Sequence, residues 1–496
     1  MKYILSIDQG TTSTTSILVN AKTFEFVEKS TLEFQQIYPL PGYVEHDLND
    51  IWKSVEKSVK DVLKKSAISA NDIITIGITN QRETICPFRK NGTPIRNAIV
   101  WQDRRTISIC EDIKKNGNEN IFVNKTGLPV DPYFSGTKIK WLLENSPEIQ
   151  NAYRENDLLV GTVDTFLLYK LTNGNSFATE ASNASRTLLM NIDSCNWDDM
   201  LLSIMDIDKK ILPEIKDSFT DFGKTNGLSF LPDGIPITGI LGDQQAALFG
   251  QAGYGKGAMK CTYGTGSFIL LNTGTKKVTS DSGLLTTVGY KYSNKIHYAL
   301  EGSCYITGAA VQWLRDGLQI IDNSSDIEKL ANEIDDLAKM QHIYFLPFFT
   351  GIGSPHWQPD AKAAIVGLTR DSKKAHIARA CLDGIALSIN DLIDAMKKDT
   401  RLEITSLKVD GGAVVNNLLM SIQSTVSELT IIRPEIIETT SYGVALGAGI
   451  GIGLIDFDQI DNLWRKDKSF NPNDKELNFY RTKKNGWKSY IQKMFL

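Results

Sequence analysis

The sequence predicts an α/β protein of two related halves facing each other, and three observations carry that prediction. The stretch Ile4–Val19 is an apolar run broken by Asp8, a small-polar turn Gln9-Gly-Thr-Thr-Ser13 and a second apolar run, the pattern of a β-hairpin whose tip offers N–H groups and hydroxyls to a phosphate. The same pattern returns at Met259–Leu271 around the turn Thr262-Tyr-Gly-Thr-Gly266, which suggests a repeated unit with a boundary near residues 247–258. Apolar strands also halt at polar turns before helical stretches, at Gly242-Asp243 and Asp410-Gly-Gly412. In α/β sheets the carboxyl ends of strands are where ligands sit.

Length and composition narrow the class. At 496 residues the chain exceeds one ordinary core, and we divide it into domains at 1–250 and 251–496. Lys and Arg number 54 against 58 Asp and Glu, a formal charge of −4, which gives no support for nucleic acid or an anionic membrane as partner. Six cysteines lie scattered without a CxxC pair, as expected of reduced thiols in a cytoplasmic protein. Five histidines show neither HxxxH nor HExxH spacing, which argues against a zinc site. Asp8 interrupts the first apolar run too early for a signal peptide. The apolar segment Val444–Leu454 is too short to span a membrane and reads as a tightly packed helix.

Taken in order, Asp47–Ser66 places Ile51, Val55, Val59, Val62 and Leu63 at helical spacing, with Asp47 or Asn49 as cap. Ile73–Thr79 is a β-branched strand that ends in Asn80-Gln-Arg-Glu-Thr84, so Arg82 and Glu83 stand either at a ligand site or as a surface ion pair. After a short strand at Ala98–Val100 comes Trp101, and Ser135 is a candidate cap for the helix following Asp131-Pro-Tyr133. Trp101 and Tyr133 read equally as core aromatics. Leu158–Leu171 is strand then helix, as is Pro236–Phe249, where Asp243 faces a cleft or caps the helix. Gly302–Arg315 leads into a helix, Ile343–Pro359 runs into an irregular Pro/Gly surface segment, and His376–Lys398 is a long amphipathic helix. At Ser406–Val409 a strand meets glycines that allow close approach of a ligand to the backbone, then a helix through Asn416 and Asn417.

Neither a GxxxxGKS/T loop nor a GxGxxG after the first strand occurs, so phosphate binding falls to the two hairpins. Hairpin turns from both halves, a Gly-Gly strand-to-helix turn and two strand-end carboxylates resemble the actin/hexokinase/Hsp70 (ribonuclease H-like) class of ATP-binding folds, with two related domains flanking a cleft. Within that class the chain resembles the FGGY carbohydrate kinases over nearly its whole length, and most closely those that phosphorylate glycerol. The resemblance is carried by Asp8-Gln-Gly-Thr-Thr-Ser13, Pro41–Asp47, Gly77–Thr84, Asn97–Gln102 and Asp131–Lys138. It continues through Asn183–Thr187, Gly242–Gly250, Thr262–Gly266 and Asp410–Ala413.

The resemblance implies an ATP-dependent kinase making sn-glycerol 3-phosphate. It assigns the substrate to Arg82, Glu83, Trp101, Tyr133, Asp243, Gln244 and Phe268, with Asp243 also the general base. The polar members suit a triol's hydroxyls and the aromatic ones its hydrocarbon edge. Asp8 and Asp243 are the implied Mg2+ partners. Thr11, Thr12, Ser13 and Thr265 are implied to cradle the phosphates, and Gly308, Gln312, Gly412 and Asn416 to line the rest of the nucleotide. A homo-oligomer, dimer or tetramer, is the family expectation. Thr15 departs from the pattern, since relatives commonly carry arginine there. Thr225–Gly234 lacks the arginine and most glycines of a fructose 1,6-bisphosphate loop, and no histidine lies between His46 and His297, so neither form of regulation known in relatives is carried over. The rival readings are an FGGY kinase for another polyol or a ketopentose such as xylulose, and a non-kinase ATPase of the actin or Hsp70 branch.

Overall fold

Two twisted sheets with the same core topology organise the molecule, which a computed structural model describes over residues 1–496. Strands β1 (Tyr3–Gln9), β2 (Ser13–Asn20) and β3 (Phe26–Glu33) form an antiparallel meander. β4 (Ile73–Asn80) lies parallel to β1, and β5 (Ile237–Gly242) parallel to β4. In the second sheet β6 (Met259–Tyr263), β7 (Ser267–Gly274), β8 (Leu285–Tyr292) and β9 (Lys295–Cys304) are antiparallel, in the spatial order β8-β9-β7-β6. β10 (Ser406–Asp410) and β11 (Thr430–Pro434) run parallel beside β6, and β12 (Lys466–Phe470) closes the edge. An antiparallel hairpin whose first strand is flanked by two parallel strands is thus built twice, as the repeated hairpin predicted, although the antiparallel strands continue as a meander only in the first sheet.

The sequence explains the layers. Ile4, Leu5, Ile7, Ile17, Leu18 and Val19 are all fully buried, because helices cover both faces of the first sheet. Helix α1 (Leu48–Ser66) covers one face with Ile51, Val55, Val59 and Val62. Of its two candidate caps Asp47 is the one used, accepting from the Asn49 N–H at 2.8 Å. Helices α2 (Asp243–Gly250), α3 (Gly308–Asp316), α4 (Lys374–Thr400) and α5 (Asn417–Ser427) follow the predicted segments. Helix α6 (Thr439–Gly451), although late in the chain, lies on the other face of the first sheet. Ser6 Oγ donates to Ser441 O at 2.7 Å and Thr238 Oγ1 to Ala448 O at 2.9 Å. The approach is so close that a Cβ on Gly239 would meet Ala448 N at 2.5 Å. The hairpin β8–β9 reaches back the same way, with Leu285, Val288 and Tyr298 sharing a core with Ile85, Phe122 and Leu188. No helix is long and apolar enough to cross a membrane.

Two local expectations are corrected. Ser135 begins its helix instead of capping it: Phe134 holds the cap position, and Ser135 Oγ donates to Glu83 O at 3.1 Å. The segment after Ile343 is not an irregular surface loop. Tyr344–Leu346 pairs with Ala364–Val366, and Pro347, Phe348 and Gly351–Ser354 are buried, because Phe348 and Ile352 pack into the second core.

Candidate active site

The floor of the cleft is a network of buried charges. Strand β4 delivers Arg82 and Glu83 at its carboxyl end, Glu83 in the left-handed region at φ 61°, a strained backbone of the kind that gathers at functional sites. Arg82 Nη1 and Nη2 bind Glu301 Oε2 and Oε1 at 2.5 and 2.9 Å. Arg186 Nη2 donates to Glu301 Oε1 at 3.1 Å, and Arg186 Nε to Glu83 Oε1 at 2.5 Å. Arg82 and Glu83 are therefore no surface ion pair. Burial works against ionising Glu301, yet Arg186 and Arg82 hold its carboxyl down, to about 2. Glu301 comes from β9, so the network ties the second sheet to the first.

The Nε edge of the Arg82 guanidinium faces Asp243, while Nη1 also donates to Gln245 Oε1 at 3.3 Å. Arg82 Nε lies 3.1 Å from Asp243 Oδ1, and the Gln244 N–H donates to the same oxygen at 2.7 Å. Asp243 thus begins α2 with Gly242 in the cap position, and Oδ2 is left for other chemistry. Burial lifts Asp243 above the usual carboxylate range, and Arg82, the Gln244 N–H and Lys260 pull it back. Gly242 is required beside this arginine, since a Cβ there would meet Arg82 Cδ at 2.7 Å.

Three half-buried aromatic rings form a wall. The Trp101 ring centroid lies 5.6 Å from that of Tyr133 and 6.4 Å from that of Phe268, and Phe268 belongs to β7 of the other sheet. Trp101 Nε1 donates to Thr11 Oγ1 at 2.9 Å, which joins the wall to the turn of the first hairpin. The core-only reading of Trp101 and Tyr133 therefore gives way to a surface shared by both halves.

Asp8 ends β1 beside that turn. Burial lifts its carboxyl to about 7 against a hydrogen bond from Ser441 Oγ at 3.0 Å, and the charges of Asp243 and Glu438 add to the rise. Two carboxylates that raise one another's cost of ionisation suit a divalent cation. No cluster of three or more His, Cys, Asp or Glu is present, so a divalent cation at Asp8 and Asp243 would take its remaining oxygens from phosphate and water.

The first turn is braced from behind, Gly10 O accepting from Gln81 Nε2 at 3.1 Å and Gln9 Nε2 at 2.8 Å, which leaves Thr11, Thr12 and Ser13 at the rim. Thr15 pairs opposite Asp8 and bonds only Thr31 Oγ1, at 2.9 Å. On the second sheet Thr265 is exposed at the β6–β7 turn, and Gly308 N and Ala309 N donate to Gly264 O and Thr265 O at 3.0 and 3.1 Å. Thr265 and Gly308 are thereby brought together. The α3 N-terminus spends these N–H groups on the turn and is no free anion site. Gly411 at φ 91° lies against Tyr263 O, while Gly412 faces open space. Asn416 Oδ1 caps α5 by accepting from Leu419 N at 2.8 Å. Gln312, exposed on α3, bonds none of the other predicted residues. Arg186 and Glu301 complete the site and were absent from the predicted set. Glu301 carried a signal, being the lone charge in the apolar run Tyr298-Ala-Leu-Glu-Gly302.

Comparison with known proteins agrees with this geometry. The N-terminal domain of the FGGY family of carbohydrate kinases matches residues 3–250, and its C-terminal domain matches residues 259–452. A glycerol kinase of Bdellovibrio bacteriovorus is 50% identical over 471 residues, 94% of each chain. The crystal structure of Plasmodium falciparum glycerol kinase with ADP superposes with a TM-score of 0.91 at 36% identity, covering 100% of this chain and 99% of that one. A ligand-bound xylulose kinase of Lactobacillus acidophilus shares the fold, with a TM-score of 0.88 at 22% identity over 99% of this chain and 98% of its own. The architecture is the actin/hexokinase-like α/β fold of these kinases.

Proposed function

The chain belongs to the FGGY family of carbohydrate kinases, and on that premise we propose that it transfers the γ-phosphoryl group of ATP to glycerol, giving sn-glycerol 3-phosphate. The observation that carries the reading is a fixed polar set at Arg82, Arg186 and Asp243 beside a three-ring apolar wall drawn from both sheets, the Tyr133 ring lying 5.6 Å from the Arg186 guanidinium. Such a pocket suits a small polyol, with Arg82, Glu83, Asp243 and Gln244 for the hydroxyls and Trp101, Tyr133 and Phe268 along the carbon edge. The glycerol kinases at 47–50% identity support this substrate.

In the proposed reaction Asp243 Oδ2 takes the proton of the attacking hydroxyl as its oxygen bonds to the γ-phosphorus and the bond to the ADP oxygen breaks. The Gln244 N–H engages Oδ1 and Arg82 lies beside it, which leaves Oδ2 for the acceptor. Thr11, Thr12, Ser13 and Thr265 flank the phosphates, while Gly308, Gln312, Gly412 and the amide nitrogen of Asn416 line the remainder of ATP. Asp8 and Asp243 would hold Mg2+, which when bound neutralises charge on the phosphates. We assign catalysis to the pair of domains 1–250 and 251–496, and a homo-oligomer as the working assembly.

A coupled assay of ADP release over a panel of polyols tests the reading. Turnover is expected with glycerol well above that with xylulose or ribulose. Turnover with a ketopentose and none with glycerol would move the chain to another branch of the family, and ATP hydrolysis indifferent to every polyol would end the kinase reading.

A further inference from the structure

Lys260 is a buried cation without an ion-pair partner. It stands in β6, fully buried, and its ammonium is bound by neutral oxygens only: Nζ donates to Gln244 Oε1 at 2.6 Å and to Thr262 Oγ1 at 2.8 Å. Burial draws Lys260 down from its ordinary value while Asp410 and Asp243 favour its charge. Its hydrogen bonds go to neither carboxylate. Leaving a buried charge with neutral partners is costly, so the placement calls for a reason other than stability.

The reason lies in what an ammonium can do. It has three donors and no acceptor, so only the oxygen of the Gln244 amide can sit 2.6 Å from it. A glutamine side chain is otherwise free to present either end. Here the lysine, reaching from the second sheet to the first residues of α2, decides the orientation. We propose that Lys260 is a positioning residue for the acceptor polyol: by holding Gln244 Oε1 it turns the amide NH2 to the ligand, so this position meets a substrate hydroxyl as a donor only. The proposal rests on the assignment of Gln244 to the substrate site.

The test is steady-state kinetics on the full chain with Q244E, Q244A, K260M and the double variant K260M/Q244A. Q244E keeps an oxygen for Lys260 and replaces the donor by an acceptor, so the KM for glycerol is expected to rise about tenfold with the KM for ATP unchanged. K260M releases the amide and raises the same KM several-fold, whereas added to Q244A it raises KM no further, because its effect passes through the amide. An unchanged glycerol KM in Q244E overturns the proposal, and so does an equal cost of K260M with or without the Gln244 side chain. If K260M does not fold, Q244E decides alone. A wild-type protein that ignores glycerol but phosphorylates another polyol removes the glycerol reading, and the variants are then read on that polyol's KM. A wild-type protein that phosphorylates no polyol overturns both.

Discussion

Because the Gln244 N–H donates to Asp243 Oδ1 and Arg82 Nε lies 3.1 Å from the same oxygen, replacing Asp243 by asparagine can keep an oxygen at that position while removing the negative charge and the proton acceptor. D243N is therefore expected to fold and to bind glycerol within a few-fold of wild type, with kcat lowered about 10²-fold or more. Near-normal kcat would remove Asp243 as base. A second carboxyl makes a pH prediction. Burial lifts Asp391 from 3.8 to about 7 despite the hydrogen bond from Trp487 Nε1 at 2.7 Å. A carboxyl raised on folding contributes stability that is full below its ordinary value and is lost as pH rises through about 7. D391N keeps an acceptor for Trp487 and carries no charge. Thermal unfolding should find it more stable than wild type by at least ~1 kcal/mol at pH 8, with the gap narrowing toward pH 5. A gap that widens in acid would contradict the assignment.

At the scale of elements, the question is whether a residue serves its helix or the ligand, and under the proposed function Asn416 would serve both on different atoms. Its Oδ1 caps α5, which leaves Nδ2 for the nucleotide. N416A should lose about 1 kcal/mol of stability with the cap, whereas N416D should keep the cap and lose only the donor. Weakened ADP binding in N416D at wild-type stability, measured by calorimetry and thermal unfolding, is the expected result. ADP binding at wild-type strength would make Asn416 a cap alone. The crossing of α2 and α6 raises the same question for glycine: Gly443 packs on the Ala246 carbonyl and Gly250 on the Thr439 carbonyl, so the glycines that suggest flexibility in sequence are sites of closest helix contact.

For the whole molecule, the linear division at 250/251 and the division by packing differ. Helix α6 covers Ile4, Ile17, Val19 and Leu241 of the first half, β8–β9 joins the first half's core, and Glu301 neutralises Arg82 and Arg186. Residues 1–250 expressed alone would expose that apolar face and leave two arginines without Glu301, with Glu83 and Asp243 as their remaining carboxylate partners. Removing one member of a buried charge network costs several kcal/mol. The fragment is expected to show no cooperative unfolding transition by calorimetry, and to regain one when co-expressed with 251–496. A cooperative transition in the isolated fragment would show that the two halves fold independently.

What the sequence determined by itself was local and repeated. Both hairpins, the strand-to-helix turns at Asp243 and Gly411, and the helices at Leu48–Ser66 and Lys374–Thr400 were legible because their turn chemistry and apolar period lie within a few residues. Family resemblance, read from Asp8–Ser13, Gly77–Thr84 and Gly242–Gly250, then named candidate residues, of which the structure brings Arg82 to Asp243 and Trp101 to Tyr133, Phe268 and Thr11. Only the tertiary structure decided which of those residues are free to act. Arg82 proved to be engaged by Glu301, Gln245 and Asp243, Gln244 to be oriented by a lysine from the other sheet, and the run after Ile343 to be core. Each of these depends on partners distant in the chain, and a buried charge or a loop takes its role from the groups packed around it, which spacing along the sequence does not encode.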